Sequence, residues 1–292
     1  MLILSQYYHL CLIIAGSSFI GLIAGILGTF VYLRKQSLLG DTVSHAALPG
    51  IVLALILTSN TSPTILLCGG ALSGALGILF SEIIKRVCKL HSDTILGIIL
   101  SVFFGMGLVL ISILQKYPRA DQAVLNKFLF GNISILLLSD LFPIIVIGSF
   151  VFIGITLFWK ELKMYSFDPE FSSTIPYGAS YTNYLFLILL LMVISICLQC
   201  VGVILMSSLL IAPAVSARQW TIHVKTMMIV AAIFGSSAAT LGTLVSNQIQ
   251  TPTGPTIVII LSILVAISLL FAPRRGILTP FIKNYFKRER LP

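Results

Sequence analysis

The sequence predicts an all-α polytopic membrane protein of about eight or nine transmembrane helices, with the amino terminus outside and the carboxyl terminus in the cytoplasm. Three observations predict it. Apolar residues make up 58% of the chain and charged residues only 9%, with a mean hydropathy of +1.07, a balance foreign to soluble domains. The apolar residues fall into runs of roughly 20, the length that crosses a hydrocarbon layer as a helix. The basic residues, finally, sit almost entirely on one side of the runs. With the amino terminus outside, fifteen of the 18 Lys and Arg residues fall in the cytoplasm, and only Lys116, Arg119 and Lys127 fall outside.

The candidate spans follow in order at 9–33, 37–58, 63–84, 94–115, 136–159, 182–200, 202–217, 224–246 and 256–272. No basic stretch or small-residue cleavage site marks the first run as a signal peptide, so it reads as a retained span. The run at 202–217 is short; if it is re-entrant, the count falls from nine to eight. The 292 residues leave no room for a sizeable soluble domain. Residues 1–292 therefore read as a single transmembrane domain, with a short cytoplasmic segment at 160–180 and a basic cytoplasmic tail at 274–292. The net charge of +9 is scattered between spans and not gathered on one domain, which argues against nucleic acid as a partner. The tail carries six basic residues, which an anionic inner leaflet attracts, so membrane lipid is an expected partner.

Small residues recur in the first and third spans. Gly21 and Gly25, or Gly70 and Gly74, four apart, let helix backbones approach closely, either within the chain or at a subunit interface.

The second span carries the chemistry. From Gln36 to Ser81 the only formal charge is Asp41, and His45 follows it four residues later. A charge near the centre of a spanning helix costs roughly 2.5–3.5 kcal/mol on insertion scales, so it usually faces a partner, a cavity or a substrate path. On a helix Asp41 and His45 share one face, beside Ser44. A divalent transition ion accepts both a carboxylate oxygen and an imidazole, but two ligands are too few for a full shell, and a second copy of the chain would complete it. Pro49 lacks the N–H that bonds the His45 carbonyl, leaving that oxygen beside the imidazole and a kink in the path. A plainer alternative stays open here: Ser37 or Asp41 caps the helix, His45 packs, and Pro49-Gly50 is only a bend.

Past the fifth span the character changes. Asp168, Pro169 and Glu170 read as an N-cap, a first-position proline and an acidic first turn, flanked by apolar Phe167 and Phe171. A short helix over 168–174 is expected, either a docking element or an interfacial loop. Pro213 lies inside the seventh run, where it kinks or breaks the helix; broken helices often line a translocation path. The uncharged loop 246–255 is a connector or a contact for a delivery protein. Five dispersed cysteines argue against a disulfide framework, and Cys197 and Cys200, lacking a second pair, read as packing. His9, His91 and His223 stand alone near span ends.

The stretch Leu39-Gly40-Asp41-Thr42-Val43-Ser44-His45-Ala46-Ala47-Leu48-Pro49-Gly50 closely resembles the signature of the permease family of bacterial ABC importers for zinc, manganese and iron. The resemblance continues through Asp93–Ile98, Leu129–Ile133, Ser166–Phe171, Val201–Leu205 with Leu210–Ala214, and Pro252–Thr256, in the family's order and over most of the chain. It implies a permease subunit of an ATP-binding-cassette importer in the bacterial inner membrane, multi-pass, working with a second permease copy or a paralogue. A separate ATP-binding subunit and an extracytoplasmic metal-binding protein are the other implied partners. In such importers a coupling helix, here Phe167, Asp168, Pro169, Glu170 and Phe171, sits in a groove on the ATPase. No G-x-x-x-x-G-K-[ST] loop occurs, so the chain is expected not to be an enzyme, and ATP hydrolysis falls to the partner. Asp41 and His45 would form a transient site for a divalent metal as substrate, with no permanently bound cofactor. Two other readings remain: a self-sufficient secondary carrier in which Asp41 and His45 relay protons, and an ABC permease for a chelated cofactor. Carboxylate plus imidazole suits manganese, iron and zinc alike.

Overall fold

A computed structural model describes residues 2–58, 62–116, 138–174, 178–274 and 276–278. The motif at Leu129–Ile133 and nearly all of the basic tail beyond Arg274 lie outside these residues. Among the described residues the chain is a bundle of eleven helices without strands. They are α1 (Leu2–Leu33), α2 (Leu39–Thr58), α3 (Pro63–Val87), α4 (Ser92–Leu114), α5 (Leu138–Leu157), α6 (Trp159–Phe167), α7 (Pro169–Thr174), α8 (Gly178–Cys200), α9 (Val203–Trp220), α10 (Val224–Ile249) and α11 (Thr253–Phe271).

Seven of these helices, α1 to α4, α8, α10 and α11, are long and apolar enough to cross a membrane, and the bent pair α5 and α6 brings the number to eight. The run at 136–159 does not continue straight: α5 stops at Leu157, and α6 leaves it at 70°. The ring of Trp159, at the start of α6, meets Phe30 of α1 edge to face with centroids 5.8 Å apart, which seats the bend against the bundle. The stretch at 202–217 is a helix of its own, α9, joined to α8 through Val201 and Gly202. Gly202 has φ of 81° and ψ of 169°, an extended positive-φ conformation essentially reserved for glycine that costs other residues about 1–3 kcal/mol, and it lets α9 start immediately after α8.

Lipid supplies no hydrophobic drive between helices, so close packing has to hold them together. Two groups form. In one, α2 packs against α3 and α4; in the other, α1, α9, α10 and α11 pack on one another, with α8 bridging the two. The glycines act within the chain: Gly21 and Gly25 of α1 lie on the backbone of Gly235 and Ala231 in α10, and Gly50 of α2 lies on Gly69 of α3. Phe30, Leu48, Ile51, Phe186, Leu190 and Ile194 are among the fully buried side chains at the centre. Away from the centre, Ile98, Val102, Met106, Val109 and Ile113 form an exposed apolar ridge along α4, suited to lipid. The helix that carries Asp41 and His45 is the most enclosed span: 72% of the most apolar stretch of α2 is buried, against 28% for α11.

Candidate functional site

The α1–α2 corner sets where the site begins. The N–H of Gln36 bonds the Val31 carbonyl at 3.2 Å, and that of Lys35 bonds Tyr32 at 3.1 Å, while Lys35 sits at φ of 55°. This is a Schellman ending with lysine in place of the usual glycine. The N–H of Leu39 then bonds the Gln36 carbonyl at 3.0 Å, so α2 starts within one turn of the end of α1.

Asp41 is the third residue of α2, inside its first turn and past the capping position, which removes it as the N-cap of the plainer alternative. Half-buried, it stands on the wall of a cavity of about 440 Å³ between α2, α9 and α11. Opposite it are Ser207, Ser208, Ile211, Ala212 and Val215 of α9 and Leu261, Ser262 and Val265 of α11. Leu210 carries the tight contact between α9 and Gly28 of α1, so the facing residues of α9 are left toward the opening.

One turn further on, His45 is half-buried, with its ring edge-on to Phe104 of α4 at 4.8 Å between centroids. Its Nδ1 is buried and has no hydrogen-bond partner among the described residues. The Asp41 carboxylate acts on the imidazole electrostatically. An unpartnered ring nitrogen near a carboxylate suits a metal ion entering and leaving, since the nitrogen meets the ion without first breaking a hydrogen bond. Neighbouring polar groups are already engaged: the Ser44 hydroxyl donates to the Gly40 carbonyl at 2.8 Å, and that of Thr42 to Leu38 at 2.8 Å. Among the described residues no three His, Cys, Asp or Glu side chains come together, so no third side chain of these types joins Asp41 and His45 there.

Pro49 and Pro213 lie inside α2 and α9, and both helices run through them. Pro49 faces Gly107 of α4, and Pro213 faces Gly235 of α10; both are buried. Pro213 is thus one residue from Ala212 on the cavity wall but turned to the opposite side.

The segment after the fifth span forms the short helix the sequence suggests. Asp168 Oδ1 accepts the N–H of Phe171 at 2.9 Å, an N-cap bond, with Pro169 first in the helix and Glu170 in its first turn. Phe167 is 58% exposed and Phe171 56%, so two aromatic rings stand clear of the bundle on either side of the cap. The helix ends at Thr174, and Gly178 begins α8. Reasoning from sequence missed the serines of α9 and α11; hydroxyls inside apolar helices are too common to single out until the helices are placed.

Comparison with known proteins agrees with this architecture. Over 272 residues the chain is 42% identical to the zinc transport system membrane protein TroC of Treponema pallidum (strain Nichols), covering 93% of this chain and 91% of that one. It is 37% identical over 279 residues to the manganese transport system membrane protein MntC of Bacillus subtilis (strain 168), covering 95% of this chain and 64% of that relative. The structure of PsaBC from Streptococcus pneumoniae in complex with Fab superposes with a TM-score of 0.82 at 30% identity, covering 95% of this chain and 97% of that one. Residues 6–272 match the ABC 3 transport family, and the chain belongs to that family.

Proposed function

We propose that this chain is the permease subunit of an ATP-binding-cassette importer that carries a divalent transition-metal ion, manganese, zinc or iron, across the bacterial inner membrane. The observation that carries the proposal is Asp41 on the wall of the cavity between α2, α9 and α11, one turn from the unpartnered nitrogen of His45. A carboxylate in the first turn of the most enclosed span, turned to an opening, has a use if a cation passes it. The names of the relatives, zinc and manganese transport system membrane proteins, point to the same class of substrate.

Two permeases facing each other, identical or paralogous, would combine two carboxylates and two imidazoles into a transient shell for the ion. The metal is cargo, and no resident cofactor is required. ATP is hydrolysed by a separate subunit, which docks on Phe167, Asp168, Pro169, Glu170 and Phe171, and an extracytoplasmic metal-binding protein delivers the ion. The amino terminus lies outside, and the tail at 274–292 lies at the cytoplasmic leaflet.

The test is metal uptake into vesicles holding the chain with its ATPase and delivery protein. Asp41→Asn, which keeps the shape and removes the charge, and His45→Ala should each lower ATP-driven uptake by about a hundredfold or more while assembly with the ATPase stays normal. Uptake at the unmodified rate by both assembled variants would remove the metal-site reading. Ion-gradient-driven uptake by the chain alone would replace the whole proposal with a secondary carrier.

A further inference from the structure

A second charged group is held far more tightly than Asp41 and plays no part in the cation path. Arg34 is the last residue before the Schellman corner, and its guanidinium reaches sideways into the bundle. Its carbon lies 3.7 Å from the ring centre of Phe186 in α8 and 4.5 Å from that of Tyr165 in α6. Nη1 donates to Asn183 Oδ1 of α8 at 3.3 Å, and Nε to Ser166 Oγ of α6 at 3.4 Å. The remaining nitrogen, Nη2, is buried and has no hydrogen-bond partner among the described residues. Burial lowers the guanidinium to about 10, opposed by Tyr165 and by Glu82 of α3, so it stays charged at neutral pH.

Three features of this arrangement matter. First, the two α6 residues that Arg34 grips, Tyr165 and Ser166, directly precede Phe167, Asp168 and the exposed docking helix. Second, the arginine is tied through the Val31–Gln36 and Gln36–Leu39 bonds to the first turn of α2, where Asp41 sits. Third, its contacts come from two elements and leave one donor over. The rings hold a planar cation from its faces, the fork has one donor left over, and the Glu82 carboxylate acts on it from α3 without forming an ion pair among the described residues.

We propose that Arg34 is a positioning residue that transmits displacement of the cytoplasmic docking segment, α6 and α7, to Asp41 on α2. When an ATPase moves that segment, Tyr165 and Ser166 move with it; the guanidinium follows, and the stiff corner passes the shift to the start of α2. The inference rests on the transport reading above, since it needs a docked ATPase and a cation at Asp41.

The experiment uses the whole complex in vesicles and measures two rates, manganese ions taken up and ATP hydrolysed, together with the melting temperature. Arg34→Lys keeps the charge and the length but loses the planar fork and its stacking. The expected result is a fall in ions carried per ATP of about three- to tenfold, with ATP hydrolysis continuing and melting unchanged. Tyr165→Phe, which keeps the ring face, should retain the unmodified ratio. If Arg34→Lys fails to assemble, Phe186→Leu removes one ring face and leaves the cation, and the same fall is expected. An unmodified ions-per-ATP ratio in an assembled Arg34→Lys or Phe186→Leu complex overturns the role of Arg34 and leaves the transport reading standing. An unmodified complex that carries no metal overturns both.

Discussion

Two meeting places of helices in this bundle are built in opposite ways. Along the seam between α1 and α10, Gly21 and Gly235 face each other backbone to backbone, and Gly25 rests on Ala231, leaving no room for a single added carbon. Between α2, α9 and α11 the helices part around a cavity of about 440 Å³ with a carboxylate and three serines on its walls. The seam holds by dispersion between closely approached backbones, which is how helices associate when their surroundings are as apolar as they are. The opening forgoes that contact and leaves polar groups facing space. On the proposed function, the difference separates the parts of the fold that need to stay fixed from the opening an ion would pass.

The largest effect expected from breaking this contrast comes from closing the seam's missing space. A Cβ at Gly21 would run into the Gly235 backbone, which cannot turn aside as a side chain would. Gly21→Ala should therefore destabilise by about 1–3 kcal/mol, the usual range for overpacking, and Gly21→Leu should prevent assembly. Melting in detergent, followed by size-exclusion, reads both. A Gly21→Leu protein that melts like the unmodified one would mean that the seam is looser than its geometry.

A smaller effect, of a different kind, belongs to the opening. Ser207 and Ser208 line it opposite Asp41, while Ser262 already donates to the Val258 carbonyl at 2.9 Å. Replacing Ser207 and Ser208 together with alanine removes oxygen atoms from a wall that already borders a cavity, so melting should hardly change. Oxygen donors that help a partly hydrated ion past Asp41 are worth a modest amount each, and uptake should fall by about two- to tenfold. Equal uptake by the double variant would confine the polar path to α2.

How much of this was legible beforehand differs between the two regions. The i, i+4 placement of Asp41 and His45 needs only the helical period, and the capped helix after Asp168 needs only the order Asp-Pro-Glu; both stand as read. Gly21 and Gly25 declared a close approach, but not against which helix, because their partners Gly235 and Ala231 lie more than two hundred residues away. The bend at Phe158 was hidden inside a continuous apolar run, since 70° of turning leaves no mark on hydropathy. The serine wall and the stacking of Arg34 were illegible for a related reason: each is made by helices distant in sequence, and neither serine nor phenylalanine announces its neighbour.

The smallest expected effect completes the comparison from the other side. Gly105 of α4 is exposed, and a Cβ there meets nothing within 4 Å, in contrast to Gly107 two residues on, which faces Leu48 and Pro49 of α2. Gly105→Ala removes a glycine from a helix interior, a change worth up to about 1 kcal/mol in favour of the helix where nothing else intervenes. Melting should rise slightly or stay the same, and uptake should be unchanged, because the ridge of Ile98, Val102, Met106 and Val109 on this helix turns outward. The measurement is worth making because a single chain leaves the covering of that ridge to lipid. Loss of uptake at unchanged melting would show that a second permease copy, and not lipid, lies against Gly105, and it would move the subunit interface onto α4.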